Sequence, residues 1–349
     1  MRKTLGDLAE HIKSVMTPET GGAYAIHPDL TDIISEASVR EGVAAFRRFL
    51  RRLYDAFIAE GHSYDLAKKT THGYETRSGT SAYYPFLNHV KNLLLGLGLH
   101  GRLSEDARAL VMCENPFNPK ISASKSLECL RFLAGCGLLF GGVDLGAKKP
   151  DLSRVEWLAV SYPEDPAMLA GLKVMAMAEK KFGTLVNWDI FLRCDYRALE
   201  NGRTDAVSTL THTIAPLPAG IRDLVMRLHR RSLDSGLDCE AEIKDFWILV
   251  KYAYKRKVLW VVNKSLNRGF ELSVKAAHTD RYPDAIQTFP PVLREAIARG
   301  YGCGRKRPGI GRCDGGCRGL RLPLDESVLG LSDSIETWFD RELVCVTGR

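Results

Sequence analysis

Between residues 239 and 275 the chain offers four strand-like segments joined by turns too short for a crossover. No other feature restricts the fold as much. Residues 239–243 lead into 246–252, and a basic turn of Lys255, Arg256 and Lys257 leads into Val258-Leu259-Trp260-Val261-Val262. After the turn material of 263–269, Phe270-Glu271-Leu272-Ser273-Val274-Lys275 alternates, with Phe270, Leu272 and Val274 on one face. Parallel neighbours need a connection of about a dozen residues, so these segments predict an antiparallel meander. Its apolar face needs cover. A helix over 221–235, with Leu224, Leu228 and Leu233 inward and Gly236 closing it, precedes the strands. A helix over 283–299 follows, with Val292, Leu293, Ala296 and Ile297 set to pack on the sheet. A strand at 319–324 and a helix over 333–343, capped by Ser332 or Asp333, close the order.

This order of helix, strands, helix, strand, helix resembles the small bacterial YjbR-like α+β domains. The likeness rests on Val258-Leu259-Trp260-Val261-Val262, Phe270-Glu271-Leu272-Ser273-Val274 and Leu320-Arg321-Leu322-Pro323-Leu324 with its terminal helix. It covers 221–345 and implies a fold but no catalytic residue.

The front half reads as mainly helical. In 38–60, Val43, Phe46, Leu50, Leu53 and Phe57 recur at three- and four-residue spacing, one face of a helix. Arg47, Arg48, Arg51 and Arg52 occupy the other face, either as a solvated surface or as a phosphate-facing stripe. A polar loop at 61–82 holds His62 and His72, then helices are expected at 84–97, at 104–113 with Ser104 as N-cap, and at 122–135. Strands at 137–140 and 155–162 flank a Gly/Lys/Pro/Asp loop carrying Lys148 and Lys149. Helices followed by a two-stranded ribbon with a basic loop give a winged-helix-like order, in which a helix enters the major groove and the ribbon touches the backbone. The helix at 122–135 presents only Lys125 and Arg131 as cations. Another helix follows over 164–182, and 189–199 suits helix or strand. Polar 200–205 and Pro/Gly-broken 215–220 mark a boundary. The expected fold class is α+β, with a mainly helical, winged-helix-like domain at 1–205 and an antiparallel-sheet domain at 220–349.

The most chemically suggestive segment runs from Gly302 to Gly319. Cys303, Cys313 and Cys317 lie within fifteen residues, separated by glycines that let the backbone fold back. Structural zinc takes four thiolate or imidazole ligands. The fourth would come from Cys345, Cys239 or His278. The spacing C-x9-C-x3-C is not the paired CxxC form, so free or redox-active thiols stand as the rival reading. Arg305, Lys306, Arg307, Arg312 and Arg318 favour thiolate over thiol and could also grip a phosphate or nucleic-acid backbone.

Charge and motifs narrow the function only partly. The 49 Lys and Arg against 42 Asp and Glu leave +7, which suits DNA or another polyanion without requiring it. No run of about 18 apolar residues suggests a membrane span, and Met1-Arg2-Lys3-Thr4-Leu5-Gly6-Asp7 does not read as a secretory leader, so a cytoplasmic location is expected. The nine cysteines, most in apolar runs, fit buried thiols. HExxH, GxSxG, the P-loop and a Rossmann GxGxxG after a strand are all absent. The expectation is a binding or regulatory protein, with a DNA-contacting winged-helix-like module and a ligand- or redox-sensing C-terminal domain. Its alternatives are an enzyme with an inter-domain site and a metal-stabilised interaction scaffold.

Overall fold

The computed structural model describes residues 4–17, 24–32, 34–60, 85–113, 123–148, 151–182, 190–244, 247–266, 268–275, 278–300 and 320–348. The fold is α+β and divides into two compact units, Met1–Thr204 and Asp205–Ile243 with Trp247–Arg349.

The first unit opens with α1 (Leu5–Val15), α2 (Glu36–Glu60) and α3 (Pro85–His100). Thr4 and Asp7 form a reciprocal capping box, Asp7 N donating to Thr4 Oγ1 at 3.1 Å and Thr4 N to Asp7 Oδ2 at 2.6 Å. Helix α2 buries Val39, Val43, Phe46, Leu50, Leu53 and Phe57, the face that its spacing predicts. It packs on α1 and on α5 (Met168–Phe182). The α2–α5 crossing has glycine on both sides. A Cβ on Gly171 would overlap the Gly42 carbonyl, and one on Gly42 would come within 2.9 Å of Ala167 O. Gly98 of α3 meets α5 in the same way, since a Cβ there would reach 2.6 Å from Ala176 Cβ. Small residues thus set how closely the three helices approach.

The arginines of α2 are largely committed inside the unit. Arg47 is buried and its Nε donates to Thr17 O at 2.6 Å. Arg48 pairs with Asp165 at 2.5 Å, and Arg52 pairs with Glu164. Arg51 faces solvent. A turn at 190–198 closes the unit, where buried Asp195 accepts from Arg193 at 2.6 Å and Arg197 at 2.8 Å.

Where a helix was expected at 104–113 the chain makes a hairpin, β1 (Arg102–Leu103) with β2 (Ala109–Met112). Ser104 does not cap a helix. Its Oγ accepts from Ala109 N at 2.9 Å and donates to Asp106 at 2.6 Å, while Ala107 takes φ 55°. That closes a turn and leaves Leu110 and Met112 alternating inward. Helix α4 (Ala123–Gly135) follows, then β3 (Leu139–Gly141) and β4 (Leu158–Ser161). These strands form one antiparallel sheet in the order β1-β2-β4-β3, with Leu110 and Phe140 both facing Val160.

The second unit starts with a helix that the boundary reading passed over, α6 (Ala206–Ile214), capped by Asp205 Oδ2 accepting from Ser208 N at 2.6 Å. Helix α7 (Ala219–Asp234) ends before Gly236 at φ 77°. Strands β5 (Asp238–Lys244), β6 (Trp247–Tyr254), β7 (Lys257–Ser265), β8 (Gly269–Val274) and β9 (Leu320–Pro323) then run in sequence order across one sheet. The antiparallel pairs from β6 to β9 match the expected meander. Val250, Val262, Leu272 and Leu322 form one cross-sheet row in the core. Tyr252 stacks on Trp260 at 3.9 Å, and Trp260 meets Phe339 edge-on at 5.8 Å.

Three local readings need correction. Leu233 is 41% exposed and Val292 is 64% exposed, while Leu224, Leu228, Leu293 and Ile297 are buried. The stretch 283–299 is two helices, α8 (Pro283–Gln287) and α9 (Pro291–Gly300). Pro290 and Pro291 lack N–H donors and push the preceding residue out of the helical region, so Phe289 drops into the core instead. After α10 (Glu326–Leu329), α11 (Ser332–Thr347) begins one residue earlier than expected. Leu331 is its N-cap, and neither Ser332 nor Asp333 caps it. Arg227 and Arg231 of α7 both grip Glu336 of α11, each at 2.7 Å, and Arg231 also holds Asp340 at 3.0 Å.

Candidate functional site

The expected zinc or thiol cluster of Cys303, Cys313 and Cys317 lies outside the described residues. So do Arg305, Lys306, Arg307, Arg312 and Arg318, and the polar loop with His62 and His72. The three candidates for a fourth ligand are described. Cys239, half-buried on β5, hydrogen-bonds to Tyr252, and burial pushes its thiol up. Cys345 sits half-buried on α11. His278 lies just ahead of α8 and is held by Glu342. The Glu342 side chain is fully buried, accepts from His278 N and approaches its Nδ1, both at 3.1 Å. Tyr282 OH donates to the same carboxylate, and Trp338 Nε1 donates to Tyr282 OH at 3.0 Å. Burial and the Glu342 hydrogen bond push the Tyr282 phenol far above its ordinary range. No cluster of three or more His, Cys, Asp or Glu suited to a metal occurs among the described residues. The remaining described cysteines divide by burial: Cys113 is exposed, and Cys129, Cys136 and Cys194 are buried. Burial raises the Cys136 thiol to about 11, which keeps it protonated and unreactive.

The ribbon after α4 is the best-built candidate site. Arg131 projects from α4 and holds the loop between β3 and β4 by two carbonyls, Leu145 O at 3.0 Å and Ala147 O at 2.8 Å. Asp144 Oδ1 accepts from Gly146 N at 2.9 Å, and Asp151 Oδ1 accepts from Ser153 N at 3.1 Å, so both flanks of the loop are closed by carboxylate turns. Those Ser153 hydrogen bonds also hold the Asp151 carboxyl below its ordinary range. Gly142 sits at φ 89°, and a Cβ there would run into Trp157 O, so only glycine lets the ribbon fold against Trp157. Trp157 remains 51% exposed, beside a cleft of about 280 Å³ lined by Asp144, Asp151, Arg154 and Glu156. The acids make the cleft floor repel phosphate. Two cations of the loop reach solvent: Lys148 is exposed, and Arg154, its side chain 86% exposed, pairs with Asp151 at 3.1 Å.

No family model, curated protein or solved structure matches this chain. Residue roles therefore rest on geometry. Arg131, one of the two cations that the sequence offers on this helix, anchors the loop. Trp157, Gly142 and Arg154 went unremarked as site residues, because only the β3–β4 pairing brings them together. Among the described side chains of α4, Glu128 and Arg131 are exposed, one acidic and one committed to the loop, while the side chain of Lys125 lies outside the described residues.

Proposed function

We propose that the module from α3 to β4 is a winged-helix-like element whose loop between β3 and β4 contacts the phosphate backbone of DNA. The observation that carries this reading is the loop itself. It is pinned to α4 by Arg131, closed at both flanks, and presents Lys148 to solvent together with Arg154, whose side chain is 86% exposed while its Nε pairs with Asp151 at 3.1 Å. The preceding order α3, β2, α4 and the antiparallel ribbon β3–β4 support it. Because the exposed side chains described on α4 offer one acid and one occupied guanidinium, the contact is read as one to backbone, and the affinity tolerates sequence change. The protein is then a binding or regulatory protein. No helix among the described residues is long and apolar enough to cross a membrane. The test is anisotropy with a labelled mixed-sequence duplex over a salt series. Wild type should lose affinity steeply as salt rises, and Lys148→Ser with Arg154→Ser should weaken binding and flatten the salt slope by about two. An unchanged slope in that variant sinks the reading.

A second reading concerns the C-terminal cysteines. We propose that Cys303, Cys313 and Cys317 bind zinc with His278 as the fourth ligand, rather than Cys239 or Cys345. The supporting observation is the carboxylate on His278 Nδ1, the partner that ligating histidines usually have, which leaves Nε2 for a metal. Elemental analysis with a thiol count should find one zinc per chain, lost in Cys317→Ser and in His278→Ala. Metal-free protein with freely titrating thiols refutes it and favours the redox alternative. The YjbR-like likeness of the second unit is supported by element order and adds no activity.

A further inference from the structure

The second unit carries an unneutralised group of cations at one end of its sheet. Lys255 and Arg256 form the two-residue connection between β6 and β7, and Lys257 follows at once. All three are exposed. Lys275 leaves β8 beside them, its N–H donating to Leu259 O at 2.7 Å. None of the four makes an ion pair with a described residue. Some cations of the unit have acidic partners, as Lys251 has in Glu242 and as Arg227 and Arg231 have in Glu336, while Arg222 and Arg230 donate to backbone carbonyls; at the turn three adjacent exposed cations and Lys275 are left without an acid among the described residues.

The backbone at this end is irregular in two independent ways. Lys255 has φ 49° and Arg256 φ 67°, both in the left-handed region. Tight hairpin connections with positive φ at both central residues favour Asn-Gly, which carries no such penalty. Beside the turn, Ala253 pairs with Val258 and Tyr252 with Trp260, so Leu259 is the extra residue of a bulge. A strained turn and a bulge therefore coincide at the point where charge is left unpaired. Strain of this kind persists where the surrounding structure holds it.

We propose that the Lys255-Arg256-Lys257 turn with Lys275 is a phosphate-backbone contact for nucleic acid, on the unit that lacks the winged-helix-like module. Charge complementarity argues for the ligand. A lipid surface is disfavoured, because membrane-seeking basic elements pair their cations with an exposed apolar face. The large exposed apolar side chains of this unit, Val207, Leu233, Val292, Leu329 and Val344, all lie on helices, and Tyr254 beside the turn packs against the core.

The test replaces Lys255→Asn together with Arg256→Gly in the full chain, which suits the turn's backbone and removes two charges. The melting temperature should rise, since strain is relieved. Affinity for labelled single-stranded and duplex DNA should fall, with the slope of log affinity against log salt reduced by about two. A second variant, Lys275→Glu, should also weaken binding without touching the turn. Raised stability with unchanged affinity and slope means that the turn is a strained, solvated tip, and overturns the proposal. Loss of binding to phosphatidylserine vesicles with nucleic-acid affinity intact overturns it too, as does a wild-type chain that binds neither DNA. Run beside the Lys148 and Arg154 variant, the two surfaces separate, because each predicts a loss when its own cations are removed.

Discussion

Single residues in this protein illustrate how burial decides the role of a charge. Burial pushes the Asp195 carboxyl up, but Arg197 and Arg193 outweigh it and hold it below its ordinary 3.8. A depressed carboxylate contributes stability above its unfolded value, and that contribution fades as pH falls through the folded value. Asp195→Asn should therefore cost about 3 kcal/mol at pH 7, because it strands buried guanidinium charge. The gap between variant and wild-type urea midpoints should narrow below about pH 4, near that unfolded value. A gap that stays constant down to pH 2.5 contradicts the assignment. At Lys264 burial wins instead, and it works against the charged form. The side chain is buried at the end of β7 over the Phe270 ring, and burial lowers its amine to about 8 from 10.5. Between those values the unfolded chain binds more protons, so stability rises with pH. Lys264→Met should remove that rise, read as urea midpoints at pH 7.5 and 9.5. Neither effect was visible in the sequence, where Asp195 and Lys264 are two charges among many.

Elements show which sequence signals survive folding. The helix period of α2 and the alternation of β8 carried directly into structure, because each buries one continuous apolar face. The 102–112 hairpin did not, since Ser104 followed by two acids suits a helix N-terminus and a turn equally. Glycine proved more decisive than the apolar pattern at the helix crossings. Gly42 and Gly171 face each other so closely that neither tolerates a methyl group. Gly171→Ala should destabilise the first unit by about 3 kcal/mol through overpacking, although alanine is the better helix former. A helical melt that moves upward in that variant would show that α2 and α5 pack otherwise.

At the scale of the whole molecule, two units each carry their own core, and their probes separate them. Trp260 and Trp338 are fully buried in the second unit, while Trp157 in the first is half-exposed. Among the described tryptophans, Trp260 and Trp338 make fluorescence on denaturation a probe of the second core, read in a Trp188→Phe background, and helical circular dichroism draws heavily on the first. Gly171→Ala should shift the dichroism transition and leave the fluorescence transition in place. Transitions that move together would make the chain a single cooperative body.

The sequence by itself determined the α+β class, the meander from β6 to β8 and the amphipathic helices, because these follow from local period and from connections too short for alternatives. It also marked the Lys255-Arg256-Lys257 turn as basic. Only the tertiary structure decided which charges are spoken for. Arg48, Arg52 and Arg131 meet partners from 14 to 117 residues away, whereas Lys255, Arg256 and Lys257 meet no acid among the described residues, Lys255 lying only over the ring of its neighbour Tyr254. Pairing between distant residues depends on how elements approach, and that approach is set by glycine contacts, bulges and turns whose consequences no local pattern records.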